Sequence, residues 1–297
     1  MKNILLLGSN GFIGRNLKEY FPKNCPEYTV VAPSSQELDI LDETALKSYL
    51  SCNRFDVVIN AAIGNPRRDS FIAHETELHQ DLKMFFNLEK YCSLYGKLLY
   101  FGSGAEFDKR ADICSVGEDD FQNGIPTNDY GFAKYIIGKA IERSENIYNL
   151  RIFGLFGKYE DWRTTFISGA CCKALKGLPI TIRQNVFFDY LYIDDFCHAI
   201  HWMIDHTPHY RTYHITSGKR VDLLTIAERI KAISNMDVPI YLCQKGLGRE
   251  YTSSNRRLLR EYPEMPITEL DAAITDLLEY YQGIIDSIDV YSLLYQN

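Results

Sequence analysis

The chain lacks any apolar run approaching the ~20 residues of a membrane span. Its first residues, Met1 to Gly8, hold an apolar stretch too short for a signal peptide. It also lacks a basic excess. Thirty-two Lys and Arg face 39 Asp and Glu, giving a net charge of −7. That balance, with a pI near 5.6, argues against nucleic acid or an anionic membrane as partner. The basic doublets Arg67-Arg68 and Arg256-Arg257 are too short to change this. The eight cysteines show no paired metal spacing, and neighbours such as Cys171-Cys172 do not easily bridge each other. No internal repeat or low-complexity linker occurs. These absences describe a reduced, cytoplasmic chain without a metal site. What remains is 297 residues, 46% apolar and 24% charged, enough for one large domain or two unequal ones.

Apolar runs rich in β-branched residues recur at Asn3–Leu7, Tyr28–Ala32, Phe55–Ala62, Lys97–Phe101 and Asn149–Phe153. Between them lie stretches of helical spacing. Phe12, Ile13, Leu17 and Phe21 share one face, as do Leu82, Phe85, Phe86 and Leu88 with Tyr91 and Cys92. Strands buried on both faces and alternating with helices predict an α/β fold, a Rossmann-type doubly wound parallel sheet. Beyond about Gly157 the elements shorten. A strand-like run at Tyr190–Ile193 leads into a helix near Asp194, and an amphipathic helix spans Thr268–Tyr281. This rhythm assigns 1–155 and about 186–220 to the dinucleotide-binding domain. Residues 156–185 and 221–297 form a smaller, mostly C-terminal α/β substrate lobe.

Gly8-Ser9-Asn10-Gly11-Phe12-Ile13-Gly14 follows the first strand and opens the first helix. Glycines there let main-chain N–H groups and the helix N-terminus approach a pyrophosphate that side chains would block. A tight turn with no ligand is the simpler alternative. An acid at the end of the second strand would bind a ribose 2′-hydroxyl, and its absence makes room for a 2′-phosphate. Here that end reads Ala32-Pro33-Ser34-Ser35-Gln36, and the acids Glu37, Asp39 and Asp42 come several residues later. NADP(H) is therefore favoured and NAD(H) possible, with Ser34 and Ser35 as phosphate contacts.

Tyr130 and Lys134 stand four apart, one turn along a helix. A phenol of pKa ~10 is a poor acid–base catalyst at neutral pH until a nearby ammonium favours the phenolate. With 21 tyrosines the pattern is cheap, and Tyr135/Lys139 and Tyr241/Lys245 repeat it. Position separates them. Tyr130 follows a plausible helix start, Pro126-Thr127-Asn128-Asp129, and lies 27 residues after Ser103. Ser103 ends the fourth strand, where active sites of such sheets lie.

These residues, in this order, resemble the extended short-chain dehydrogenase/reductase family, in its nucleotide-sugar epimerase/dehydratase/reductase group. The resemblance runs over roughly residues 1–220. Arg151-Ile152-Phe153-Gly154-Leu155-Phe156-Gly157 is similar to the family's L-R-x-x-N-x-x-G segment. Asp189-Tyr190-Leu191-Tyr192-Ile193-Asp194-Asp195 is similar to R-D-F-V-x-V-D-D. The resemblance implies cofactor contacts from Gly8, Asn10, Gly11, Phe12, Ile13, Gly14, Asp39, Ile40, Ala61, Ala62, Ile63, Tyr130, Lys134 and Phe153. It implies that Tyr130 exchanges a proton with a sugar oxygen, that Lys134 holds the nicotinamide ribose, and that Ser103 hydrogen-bonds the same sugar oxygen.

Departures from the family choose among its reactions. The 4,6-dehydratases carry Asp-Glu just after the serine or threonine, where this chain has Gly104 and Ala105. Glu106 comes one place late and points to the other face if the strand continues. The segment from Ser34 to Asp42 resembles S-R-x-E-L-D-L-x-D of dTDP-4-dehydrorhamnose reductase and GDP-fucose synthase, which are NADPH-dependent 4-keto reductases. Gly154 replaces a frequent Asn, Phe188 a frequent diphosphate-binding Arg, and Asp81 an Asn near the epimerase site. Ala105 stands where GDP-fucose synthase uses a Cys. Ser103, Gly104, Ala105 and Gly154 are thus the expected sugar contacts. The substrate diphosphate needs a cation, for which Arg163, Arg183 and Arg249 are candidates, each otherwise a solvated surface arginine.

The leading expectation is NADPH-dependent reduction of a nucleotide-linked 4-keto-6-deoxysugar for surface polysaccharide synthesis. A NAD-dependent nucleotide-sugar 4-epimerase, marked by copurifying NAD, is the alternative. A non-catalytic NADP-sensing regulator is a third, but a sensor would not need Ser103, Tyr130 and Lys134 together. His74/His79 and His198/His201 lack ligand spacing or nearby acid and Cys ligands. By the same resemblance, helices near 81–95 and 130–145 imply a homodimer.

Overall fold

The computed structural model describes residues 1–64 and 74–294. Its strands run in chain order as β1 (Lys2–Leu7), β2 (Tyr28–Val31), β3 (Phe55–Asn60), β4 (Tyr95–Ser103), β5 (Ile113–Val116), β6 (Ile147–Ile152) and β7 (Gly154–Phe156). They continue as β8 (Ile180–Asn185), β9 (Phe187–Tyr192), β10 (Thr212–Ile215), β11 (Arg220–Asp222), β12 (Ile240–Leu247) and β13 (Tyr251–Ser253). The helices that matter below are α1 (Phe12–Asn24), α2 (Glu43–Cys52), α3 (His74–Lys90), α4 (Asp129–Ile141), α5 (Phe166–Leu175) and α6 (Ile193–Asp205).

Six strands form a sheet in the order β10-β6-β4-β3-β1-β2. Every neighbouring pair in it is parallel. Parallel strands need crossovers, so both faces are covered and both must be apolar. Alternation along each strand supplies two separate cores. Ile4, Leu6, Ile59 and Leu99 pack with Leu17 and Phe21 of α1 and with Phe196 and Ile200 of α6. Leu5, Leu7, Val58 and Leu98 pack instead with Leu46 of α2, Phe85 and Leu88 of α3 and Ile137 of α4. Each such side chain, fully buried, is worth about 1.5–3 kcal/mol against exposure.

A second sheet runs β11-β9-β13-β5, with β7 also on β9, and β8 pairs with β12. Its strands come from distant parts of the chain. β5 lies within the 1–155 stretch and β9 within 186–220, yet both pair with β13. The Asp189 and Asp195 of the acidic segment are structural. Asp189 accepts from Ser217 N, Ser217 Oγ and Gly218 N, and Asp195 holds Thr268 N and Oγ1. Asp189 thereby ties the second sheet to the turn after β10.

The doubly wound parallel sheet is as the sequence predicts. The expected helix near Asp194 is α6, and the expected tail helix spans Leu270–Ile284. Two local expectations are corrected. Phe86 does not share the buried face of Phe85 and Leu88 but is 40% exposed, because the apolar stripe of α3 is narrower than its sequence. The chain after Ser103 does not stay a strand. It closes into a 3₁₀ turn at Gly104–Glu106, so Glu106 is not turned to the far face but is fully buried. The expectations on Arg67 and Arg68 lie outside the described residues, as does the His74 side chain.

Candidate active site

The glycine loop leaves β1 with Gly8 at φ +75°, a left-handed conformation that favours glycine. A Cβ at Gly8 would meet Ala61 C and Ala62 N at 2.5 Å, and one at Gly14 would meet Gly8 O at 2.2 Å. The loop is thus pressed against the end of β3 on one side and against α1 on the other. Gly11 is the N-cap of α1, and the first turn holds no acid, so its N–H groups and positive dipole end are free for an anion. Phe12 and Ile13 are partly buried, Asn10 is exposed, and Ala61, Ala62 and Ile63 form the opposite rim. The shape and charge of this cradle fit a dinucleotide pyrophosphate.

At the end of β2 the structure changes the sequence picture. Glu37 folds back so that its Oε2 accepts from both Ser34 N and Ser34 Oγ, each at 2.8 Å. These hydrogen bonds hold its carboxyl below the usual range. An acid therefore does reach Ser34, because Ser34-Ser35-Gln36-Glu37 makes an S-x-x-E turn. Ser35 is exposed, Asp39 Oδ1 accepts from Leu41 N at 2.9 Å, and Ile40 is buried.

The three expected catalytic residues converge at the carboxyl end of β4. Ser103 caps its turn: its Oγ accepts from Ala105 N at 3.1 Å, while its own N–H donates to Glu106 Oε1 at 3.2 Å. Asn128 caps α4 through Gly131 N at 2.8 Å, which starts the helix one residue before Tyr130. One turn on, Lys134 is buried, with Nζ 5.7 Å from the centre of the Tyr130 ring. Ser103 and Tyr130 stay partly exposed.

Lys134 Nζ donates to Tyr100 Oη at 2.7 Å and to Phe101 O at 3.1 Å. Burial works to lower its pKa, but the surrounding Tyr100, Tyr130 and Asp81 outweigh that and raise it. The lysine is a fixed ammonium. Asp81, 5% exposed, accepts from Gly64 N at 2.6 Å, and its second oxygen has no partner among the described residues. Tyr100 is a site residue that sequence reasoning missed, and no local spacing announces it.

Behind the turn lies a buried ionic group. Arg151 Nε donates to Glu106 Oε2, Asn149 Nδ2 reaches both Glu106 oxygens at 3.1 Å, and Arg151 Nη1 donates to Glu118 O at 2.8 Å. Arg151 and Glu106 are fully buried, so the pair fixes the turn rather than touching substrate. Beside it His214 is also buried, and burial with the nearby Arg151 and Arg257 charges holds its pKa well below the ordinary value.

Aromatic rings wall the cleft. Phe153 lies 5.0 Å from Tyr251, 5.1 Å from His214 and 5.8 Å from Phe107, centre to centre. Phe188 lies 5.8 Å from Tyr251. The Phe153 ring is thus committed to packing. Gly154 is buried in β7, where a Cβ would meet Asp189 O at 2.6 Å. Of the three candidate cations, Arg163 is exposed and paired with Asp161 at 2.8 Å, and Arg183 is exposed on β8. Arg249 is exposed as well, two residues before Tyr251, and donates to Lys109 O at 3.2 Å. No cluster of three His, Cys, Asp or Glu suited to a metal occurs among the described residues, and no described helix is long and apolar enough to cross a membrane.

Comparison with known proteins shows the family and the fold. The model of the NAD dependent epimerase/dehydratase family matches residues 4–216. A GDP-L-colitose synthase from Yersinia pseudotuberculosis is 25% identical over 312 residues, covering 94% of this chain and 97% of that protein. A GDP-L-fucose synthetase from Naegleria fowleri, solved bound to NADP, superposes with a TM-score of 0.81 at 18% identity, covering 96% and 95% of the two chains. A UDP-glucose 4-epimerase from Thermotoga maritima, solved with UDP-glucose, gives a TM-score of 0.79 at 19% identity over 95% and 99%.

Proposed function

Because the chain belongs to the NAD dependent epimerase/dehydratase family, we propose that it reduces the 4-keto group of a nucleotide-linked 4-keto-6-deoxysugar with NADPH. The observation that carries this reading is the convergence of Ser103, Tyr130 and a buried, charged Lys134 beside the glycine cradle. Held at the loop of Gly8, Gly11 and Gly14, NADPH would supply a hydride for C4. Tyr130 gives its phenolic proton to the oxygen that becomes the new hydroxyl, and Ser103 donates a hydrogen bond to that oxygen as charge builds on it. Lys134, held by Tyr100 and Phe101, keeps one N–H for the nicotinamide ribose and stabilises the phenolate left on Tyr130. Gly104 and Ala105 offer no acid or base for eliminating water or moving a proton at a neighbouring carbon.

The similarity to a GDP-L-colitose synthase and to an NADP-bound GDP-L-fucose synthetase supports a GDP-sugar and NADPH. Arg249 is the cation we assign to the substrate diphosphate. Phe86 and Phe132, 40% and 38% exposed on the paired helices α3 and α4, fit a homodimer. One observation favours a second reading. The Glu37 carboxylate on Ser34 suits a ribose 2′-hydroxyl, as in a NAD-dependent 4-epimerase, whereas a 2′-phosphate would have to take both Ser34 donors from it.

The test is NADPH oxidation, followed by absorbance, with a panel of GDP-, dTDP- and UDP-linked 4-keto-6-deoxyhexoses. Rapid oxidation with one member, and little with NADH, supports the reductase. No oxidation, with NAD released on denaturing the protein, replaces it with the epimerase.

A further inference from the structure

A pocket of about 470 Å³ opens between the 3₁₀ turn Glu118–Asn123 and the short helix Arg256–Glu261. Neither the glycine loop nor Ser103, Tyr130 or Lys134 lines it, so it is separate from the cleft described above. Its size falls among small-molecule sites, which run from about 300 to 1,000 Å³. Such sites are mostly apolar, whereas this one is walled chiefly by charged side chains and hydroxyls. A ligand that fits it must itself carry charge and hydrogen-bonding groups.

Three arginines and three acids line this space, and they are not used alike. Arg257 is committed: it pairs with Glu118 at 3.6 Å and Asp119 at 2.8 Å, and donates to Thr212 O at 3.2 Å. Arg256 and Arg260 are exposed, stand four apart on the helix, and have no carboxylate partner among the described residues. Two guanidiniums one turn apart can hold the oxygens of a single phosphate. The acids disfavour a bare phosphate but are good acceptors for hydroxyl groups. Asp120 spends one oxygen on Gly117 N at 2.8 Å, and the Asp119 side chain is 88% exposed. Ser253, 3% exposed, adds a hydroxyl to the wall that has no partner among the described residues. A buried hydroxyl left unpaired costs free energy until a ligand or water bonds it.

We propose that this pocket binds a monosaccharide phosphate, with the phosphate on Arg256 and Arg260 and the sugar hydroxyls on Asp119, Asp120 and Ser253. Inorganic phosphate lacks the hydroxyls and a free sugar lacks the charge, so neither answers the whole lining. The site is independent of the reaction carried out in the cleft.

Isothermal titration of the full chain with glucose 1-phosphate, glucose and inorganic phosphate tests it, with thermal melting as the folding control. Glucose 1-phosphate is expected to saturate one site, about tenfold tighter or more than either glucose or inorganic phosphate. Replacing Arg256→Ala and Arg260→Ala together removes two exposed side chains, so melting stays as in the wild type while the affinity falls by about tenfold or more. Tyr130→Phe, which alters the cleft alone, leaves the affinity within about twofold. No saturation up to about 10 mM overturns the proposal. So does an affinity unchanged in the double variant, an equal affinity for inorganic phosphate, or a loss in Tyr130→Phe. Because the heat of binding is read rather than turnover, failure of the reductase reading leaves this result standing.

Discussion

The two larger sheets meet at one cleft but furnish it in different ways. The carboxyl edge of the six-stranded sheet supplies main chain: a left-handed Gly8, the free start of α1, and the capped turn that carries Ser103. The second sheet supplies side chains, chiefly the rings of Phe188 and Tyr251, on strands paired across long stretches of sequence. A main-chain site is set by local turns and tolerates variation in side chains around it. A side-chain wall depends on register between distant strands, so it is the part of the cleft free to change with the sugar. On the proposed function, the first sheet would hold the cofactor and the second would shape the substrate side.

Substitutions that strike one side only sharpen that division. Tyr130→Phe, on the first-sheet side, has the largest expected effect. Turnover falls by about 10²–10⁴-fold, while NADPH affinity, measured by fluorescence titration, stays within about twofold. Unchanged turnover would remove Tyr130 from the mechanism. Glu106→Gln strikes the junction, where the buried Arg151 would lose its charged partner. The expected loss is about 3–5 kcal/mol of folding stability by urea denaturation. A loss under about 1 kcal/mol would mean that the pair does not hold the Ser103 turn.

His214, between the junction and the aromatic wall, gives a smaller effect that depends on pH. Its pKa is depressed in the folded chain. As pH falls below the ordinary value of about 6.5, the unfolded chain takes up a proton that the folded ring refuses, so stability drops. This contribution is absent above about pH 6.5 and approaches about 1.4 kcal/mol per pH unit below it. In His214→Gln it disappears. The stability difference between variant and wild type should therefore move in the variant's favour by about 2 kcal/mol from pH 7 to pH 5. Parallel pH curves would contradict a buried neutral imidazole.

What was legible in the sequence was local. The glycine spacing after β1 and the four-residue step from Tyr130 to Lys134 each express one turn of chain, and the parallel sheet follows from strands apolar on both faces. An S-x-x-E signal was also present at Ser34–Glu37 and at Ser103–Glu106, two places where the expectation needed correction. Read as capping boxes, these segments bend the chain and swing each glutamate back onto its serine. Tyr100 and Tyr251 had no such signal. Tyr100 is one aromatic among several in an apolar strand, and Tyr251 reaches Gly104 only through the pairing of β13 with β9 and β5.

The central claim, hydride delivered once and kept by the sugar, is tested most directly with NADPH carrying deuterium at the transferable C4 position. The account predicts that the product of a GDP-4-keto-6-deoxyhexose gains one deuterium at its C4, seen by mass spectrometry, with one NADP⁺ formed per sugar. A converted sugar with no deuterium and no net consumption of NADPH would contradict it, because the hydride would then have come from the sugar itself and returned to it.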